Sequence, residues 1–215
     1  MLPVKKRKIE HEKVDPNSTH VSKKWVGFCT LQHKQDILNN QYLCSDVIIS
    51  AQNLLQIQFP NINGFQETTL APVFSNGKWT SSTGFQAQDP PCVQIHHNGR
   101  DHWVLSIQIE NGDIYFLDSL RLKINTSLEF QLCKMYGQNN NRILIKIPEV
   151  QKQDNSIDCG LFAIANAVEF CNNGFKGGTH INYDEKYMRD HLIYCLERGF
   201  FSQFPKNRIG RVPKF

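Results

Sequence analysis

The sequence predicts an α+β domain, and three observations carry that prediction. Segments with strand character, Cys92–His96, Trp103–Ile109, Ile114–Asp118 and Arg142–Ile147, cluster in the middle of the chain. Helical spacing is strongest on either side of them, over Ile37–Ile57 and residues 183–198. From Leu161 to Cys171 the chain is apolar nearly all round a helical wheel, the pattern of a buried helix and not a surface one. Strands in the centre with helices at both ends suit an α+β arrangement better than regular βα alternation.

In chain order, residues 1–24 are polar, poor in aromatics and expected to form a mobile basic tail. Within them Lys5-Lys6-Arg7-Lys8 resembles a monopartite nuclear localisation signal, so an intracellular, nuclear protein is expected. Residues 25–205 form the predicted domain and 206–215 a second basic tail. The first helix is read as Ile37–Ile57, from Leu43, Val47, Ile48, Ala51, Leu54 and Leu55, ended by Pro60. Residues 60–92 are rich in Gly, Pro, Asn, Ser and Thr, which predicts a long loop region with one short helix or strand. The next two strands form a hairpin across Glu110-Asn111-Gly112-Asp113, followed by a helix near 125–137 and a strand closed by Pro148. The last helix carries Tyr183, Tyr187, Met188, His191, Leu192, Cys195 and Leu196 on helical spacing.

Composition bounds the function. A chain of 215 residues, 40% apolar and 20% charged, is long enough for one domain with a substantial core. No apolar run approaches 18 residues and no signal-peptide pattern opens the sequence, so it reads as neither membrane-spanning nor secreted. The seven cysteines are scattered and include no C-x-x-C pair, which argues against a disulfide framework and a zinc site. No metal or organic cofactor is suggested. The formal charge of +4 sits in the tails: residues 1–24 hold seven Lys/Arg against three acids, and 206–215 hold four Lys/Arg and no acid. The core, 25–205, is therefore net acidic. Nucleic-acid binding by the core is disfavoured, and by the basic tails it stays open.

The chemistry centres on Gln153-Asp154-Asn155-Ser156-Ile157-Asp158-Cys159-Gly160. A thiol at the first turn of a helix faces unpaired backbone N–H groups and the positive end of the macrodipole, both of which favour thiolate. Gly160 leaves room for a substrate backbone to approach the sulfur. A thiol nucleophile needs a base, a group that orients the base, and donors for the oxyanion. His102 opens the first hairpin strand and Asp118 closes the second. A two-residue Asn111-Gly112 turn puts their side chains on opposite faces. A three-residue Glu110-Asn111-Gly112 loop with Gly112 left-handed pairs Ile109 with Asp113, sets Val104 opposite Asp118, and brings His102 and Asp118 to one face. The longer loop is the expectation. Gln153, six residues before the thiol, can place an amide N–H beside the oxyanion, and the Cys159 backbone N–H can supply a second donor.

Here the sequence resembles a known family. His102-Trp103, Asp118-Ser119 and Gln153 through Asp158-Cys159-Gly160 are similar, in order and spacing, to the Ulp1-type ubiquitin-like-protein-specific cysteine proteases. Tyr42-Leu43 through Ile48 looks like that family's Trp-Leu-Asn-Asp…Ile-Asn segment, with Tyr42 where the family usually has Trp. The run from Met188-Arg189-Asp190-His191 to Phe204-Pro205 is similar to animal and mobile-element members. The resemblance implies a papain-like fold, with the thiol on a central helix and His and Asp on a mixed sheet. It implies cleavage after the Gly-Gly terminus of SUMO, ubiquitin or NEDD8, with Trp103 packed over a narrow Gly-Gly channel and Tyr42 as its second wall. The partner is then a ubiquitin-like protein or its conjugates.

Competing readings remain at this stage. His96, His97 and His191 are alternative bases, and Asp101 and Asp113 read as surface and turn acids. Asp158 reads as the helix N-cap, and the other cysteines as buried or incidental thiols. The order His–Asp–Cys also serves thiol proteases of other polypeptides and acyltransferases. A module that binds a ubiquitin-like protein without turnover is a third reading.

Overall fold

The computed structural model describes residues 23–72, 74–79, 84–137, 142–177 and 180–207. Lys5-Lys6-Arg7-Lys8 and most of both expected tails lie outside them. At the inner ends of the tails the N–H of Leu31 donates to Lys23 O and that of Asn207 to Asn182 O, and bridges pair Lys24 with Thr30 and Lys206 with Tyr183.

Among the described residues five α-helices and seven strands follow in order: α1 Leu31–Leu38, α2 Ser45–Gln58, β1 Asn63–Gly64, β2 Phe74–Ser75, β3 Lys78–Trp79, β4 Cys92–His97, β5 Trp103–Gln108, β6 Ile114–Leu117, α3 Thr126–Tyr136, β7 Ile145–Lys146, α4 Cys159–Asn173 and α5 Glu185–Arg198. A five-stranded sheet runs β1-β4-β5-β6-β7, with antiparallel β4–β5–β6 at the centre and parallel β1 and β7 at the edges. Strands and helices are segregated as the sequence predicts, in a mixed sheet flanked by helices.

The sheet divides two apolar layers by its period-two alternation. Trp103, Leu105 and Ile107 of β5, with Val93 and Ile95 of β4, join the main core around α4, α2 and α5. Val104 of β5 and Phe116 of β6 face the other way, onto Leu128 and Leu132 of α3. β4 and β5 are buried on both faces, and the polar side chains buried with them, Gln94, His96 and Ser106, are hydrogen-bonded. α4 is buried from Cys159 through Phe170, in keeping with its all-round apolar wheel. Beyond β1, the Ile95 N–H of β4 donates to the buried Gln52 Oε1 at 3.0 Å, so a side chain of α2 completes the strand edge.

Two expectations are corrected. The helix read over Ile37–Ile57 is two helices broken between Leu38 and Ser45, because Asn40 takes a φ of +53°, which ends α1. The strand read over 142–147 shrinks to Ile145–Lys146, paired with Ile114 and Tyr115. Leu144 and Ile147 on either side stay largely exposed, so the apolar run marks an edge and not a core strand.

Candidate active site

The β5–β6 hairpin takes the three-residue loop. Ile109 N–H donates to Asp113 O at 3.0 Å, Gly112 N–H to Ile109 O at 2.8 Å, and Gly112 has a φ of +88°. The register pairs Leu105 with Leu117, and one step further along it sets Val104 against Asp118. His102 and Asp118 therefore meet, with Nε2 of His102 2.7 Å from Oδ1 of Asp118 and both side chains buried.

Each partner is itself held. The Asn98 carboxamide oxygen accepts the N–H groups of Arg100, Asp101 and His102 at 2.8, 3.1 and 3.1 Å, which pins the tight β4–β5 connection and fixes where His102 begins β5. Asp118 also accepts the N–H groups of Leu120 and Leu122, each at 2.8 Å. Burial alone pushes Asp118 up, but the His102 hydrogen bond and charge and those two N–H groups bring it below the usual carboxylate range. Burial likewise pushes His102 down, and the hydrogen bonds and charges of Asp118 and Cys159 outweigh it, raising the imidazole to about 9.

With Nε2 on Asp118, the other ring nitrogen, Nδ1, is buried and has no hydrogen-bond partner of ordinary geometry among the described residues. Cys159 also acts on the imidazole, through hydrogen bonding and charge. The thiol opens α4, is fully covered, and accepts the Trp103 backbone N–H at 3.4 Å. Trp103 is almost wholly buried: its indole N–H donates to Leu43 O at 2.8 Å, Tyr42 stacks on it with ring centres 6.4 Å apart, and His97 leans on it at 4.6 Å. Tyr42 is half-buried and is the more exposed of the two rings.

Gln153 lies beside the same constellation, buried and held at both ends of its amide. Its oxygen accepts the Ser119 hydroxyl at 2.6 Å, and its Nε2 donates to Asn155 O at 2.6 Å. A carboxamide carries two N–H groups, so one remains for a ligand. Adjacent residues Asp118 and Ser119 thus orient the imidazole and the amide respectively. Ser119 was read only as part of the Asp118-Ser119 motif, without its hold on Gln153, and Asn98 escaped the sequence reading, although the Asn98-Gly99 pair is a turn signal that points to a tight connection there.

Two sequence expectations change. Asp158 stands at the N-cap of α4, but its side chain caps nothing. Its Oδ1 takes Nε of Arg189 at 2.9 Å and also Nη2, while its Oδ2 accepts from Asn155 Nδ2 at 2.7 Å. Arg189 is buried, and its Nη1 also donates to Ile37 O and Gln41 O at 3.1 and 2.9 Å. It therefore joins the residue before the thiol to the turn that carries Tyr42. Gly160 does not open a lane to the sulfur. A Cβ there would lie 3.0 Å from Trp103 Cδ1 and 3.2 Å from both Ile48 Cδ1 and Leu43 Cβ, so its bareness serves the packing of Trp103 and α2 against α4.

The competing bases fall away on geometry. His96 is fully buried between Gln131 Oε1 at 3.0 Å and Ser106 Oγ at 2.7 Å, and burial brings it down to about 4. His97 packs on Trp103, and burial lowers it too. His191 lies 3.3 Å from the Cys195 sulfur, but the same Nε2 is 3.1 Å from Ser202 O. A nitrogen facing a carbonyl carries the hydrogen, so it is a donor there and not a base. Asp113 is spent on Lys146 at the hairpin turn, at 2.6 Å.

Among the described residues no group of three or more His, Cys, Asp or Glu could hold a metal ion, and no helix is long and apolar enough to cross a membrane. A cavity of about 360 Å³ lies beside α3, lined by Ile124, Leu132, Cys133 and Ile145, and none of the site residues borders it.

The sequence pattern of the Ulp1 protease family, C-terminal catalytic domain, matches residues 61–189. Among solved structures, the C-terminal Ulp1 protease domain in complex with Smt3, the yeast orthologue of SUMO, is 15% identical, with a TM-score of 0.59 over 80% of this chain and 83% of that one. A de-sumoylating protease is also 15% identical, with a TM-score of 0.54 over 79% of this chain and 85% of that one. At this identity the likeness is one of fold. No curated protein matches the sequence.

Proposed function

Because the chain belongs to the Ulp1 protease family and is a cysteine peptidase, we propose that it cleaves after the C-terminal Gly-Gly of a ubiquitin-like modifier. Cys159 is the nucleophile, His102 the base, Asp118 its orienting carboxylate and Gln153 an oxyanion donor. The observation that carries this reading is His102, bonded through Nε2 to Asp118 at 2.7 Å with its buried Nδ1 left for Cys159.

In the proposed cycle the Cys159 proton passes to Nδ1 of His102, and the sulfur attacks the scissile carbonyl. The tetrahedral oxyanion takes the remaining Gln153 amide N–H and the Cys159 backbone N–H, which at the first helical residue has no intrahelical partner. His102 returns its proton to the leaving amine, an acyl-enzyme forms, and water attacks it with His102 again as base. Trp103 and Tyr42 line the approach, and only glycines are slim enough for a passage between such rings. The ubiquitin-like partner is supported by the SUMO-bound Ulp1 domain, whose fold this chain shares.

The test is reaction with SUMO paralogues, ubiquitin and NEDD8, each bearing a C-terminal electrophile, for wild type and Cys159→Ala. A thiol-dependent adduct with one modifier is expected. If none reacts while Cys159 still alkylates, the substrate is another polypeptide or an acyl donor.

A second reading, a module that binds the modifier without turnover, draws on the complete burial of Cys159. Binding of unmodified modifier without any adduct would favour it. Nuclear import through Lys5-Lys6-Arg7-Lys8 is part of the proposal, tested by the location of a fluorescent fusion with and without that run.

A further inference from the structure

Two buried polar side-chain atoms at this site lack a hydrogen-bond partner of ordinary geometry among the described residues, Nδ1 of His102 and the hydroxyl of Tyr42. The first is explained by the reading of His102 as base. The second has no such explanation, and an unpaired buried hydroxyl is costly. The packing puts it close to Cys159: a Cβ on Gly160, the residue after the thiol, would lie 3.2 Å from Cβ of Leu43, the residue after Tyr42, and 3.0 Å from the Trp103 ring on which Tyr42 stacks, and after burial the Cys159 sulfur is the largest influence that raises the phenol. The ring is aimed by its stack on Trp103, whose own N–H reaches the Cys159 sulfur at 3.4 Å and whose indole N–H holds Leu43, next to Tyr42. The Tyr42 turn is fixed further by Arg189, through Gln41 O.

We propose that Tyr42 is a catalytic donor: its hydroxyl hydrogen-bonds the Cys159 sulfur as the proton leaves for Nδ1 of His102, and so holds the thiolate. The protonated thiol has one hydrogen to give, and His102 takes it. The thiolate has only lone pairs, and three donors then meet it: the Trp103 N–H, the Tyr42 O–H and the His102 imidazolium. The hydroxyl thus goes unpaired before proton transfer and gains its partner afterwards, which stabilises the charged state selectively. A tryptophan at this position offers a ring wall without that oxygen, so the substitution of Tyr at residue 42 adds a group to the sulfur as well as changing the wall.

This rests on the reading of Cys159 as nucleophile, and the test separates the two. The full chain is alkylated with iodoacetamide across pH, and the Cys159 peptide is quantified by mass spectrometry for wild type, Tyr42→Phe and Tyr42→Trp, with Cys159→Ala as the blank. The other charged groups around the sulfur, His102, Asp118, Asp101 and the Asp158–Arg189 pair, are common to all but the blank. Tyr42→Phe keeps the ring on Trp103 and removes only the oxygen. At pH 6 it is expected to alkylate about tenfold more slowly, with the rate profile displaced to higher pH by about one unit. Tyr42→Trp is expected to slow likewise, and thermal midpoints are expected to hold. Coincident profiles for wild type and Tyr42→Phe would overturn the proposal, as would faster alkylation, which makes the hydroxyl a cover. Should wild-type Cys159 react no faster than the exposed Cys133, the nucleophile reading falls with it. Normal alkylation with the Tyr42 effect, but no modifier adduct, leaves this proposal standing and removes only the Gly-Gly substrate.

Discussion

His102 and Asp118 belong to facing strands and lie two residues out of register, yet their side chains close to 2.7 Å in a buried environment. The sign of the consequence follows from His102 standing at about 9, above its usual ~6.5. Once the Cys159 proton has passed to His102, the imidazolium, held by Asp118 and the charge of Cys159, persists below about 9 and is lost as pH rises through it. Peptidase kcat/KM is therefore expected to fall on the alkaline side with a one-proton slope near that pH. Asp118→Asn should move the limb to lower pH and cost on the order of 10²–10⁴-fold in kcat/KM. The same shift stabilises the fold most fully below ~6.5 and is lost as pH rises towards about 9.

Arg189→Met leaves the Asp158 carboxylate buried with only Asn155 beside it, and Ile37 O and Gln41 O without their donor. Breaking a buried pair from one side costs about 3–5 kcal/mol. Urea unfolding is expected to show a loss of that order, and Asp158→Asn in the same chain should recover part of it. Independence would be shown instead if Asp158→Asn changed stability by the same amount in the Arg189→Met chain as in the wild type.

Gly160→Ala sets two effects against each other. Alanine is favoured in a helix by about 1 kcal/mol over glycine. The added methyl meets Trp103 Cδ1 at 3.0 Å, with Ile48 and Leu43 close behind, and overpacking typically costs about 1–3 kcal/mol. Packing is expected to win, giving a modest drop in thermal midpoint. The drop in kcat/KM should be larger than stability explains, because the displaced residue is the one whose N–H holds the sulfur.

His96 makes the opposite pH prediction from His102. Its folded value of about 4 lies below the unfolded ~6.5, so the unfolded chain binds the extra proton first. The stability it confers is complete above ~6.5 and is lost as pH falls towards about 4. Denaturant midpoints measured down this range should decline, and a His96→Gln variant should decline less steeply.

The site was legible where local rules constrain it tightly. Of the two loops the residues allow, the three-residue one alone puts His102 and Asp118 on one face, so the need to join a base to its carboxylate, and not turn propensity, picked the hairpin register. The polar-to-apolar switch at Cys159 located the start of α4. What stayed hidden depends on distant partners. Arg189 in a helical run looks like a solvated cation until Asp158, 31 residues earlier, is found against it. Gly160 beside a thiol suggests substrate access, because the indole that fills its space comes from residue 103. The break after Leu38 was missed because apolar spacing carries across it, while the left-handed Asn40 leaves no trace in periodicity.

Arg189 also sets an order in time. The chain is synthesised from Ile37 towards Arg189, and the guanidinium that joins the Tyr42 turn to the residue before the thiol emerges 152 residues after the first group it grips. At about 5–20 residues per second that is roughly 8–30 s of elongation. Throughout that interval Tyr42, Trp103, His102 and then Cys159 are present without the joint that brings them to one point. A peptidase wired in this way is expected to stay latent while it is being made and to gain activity only once α5 docks.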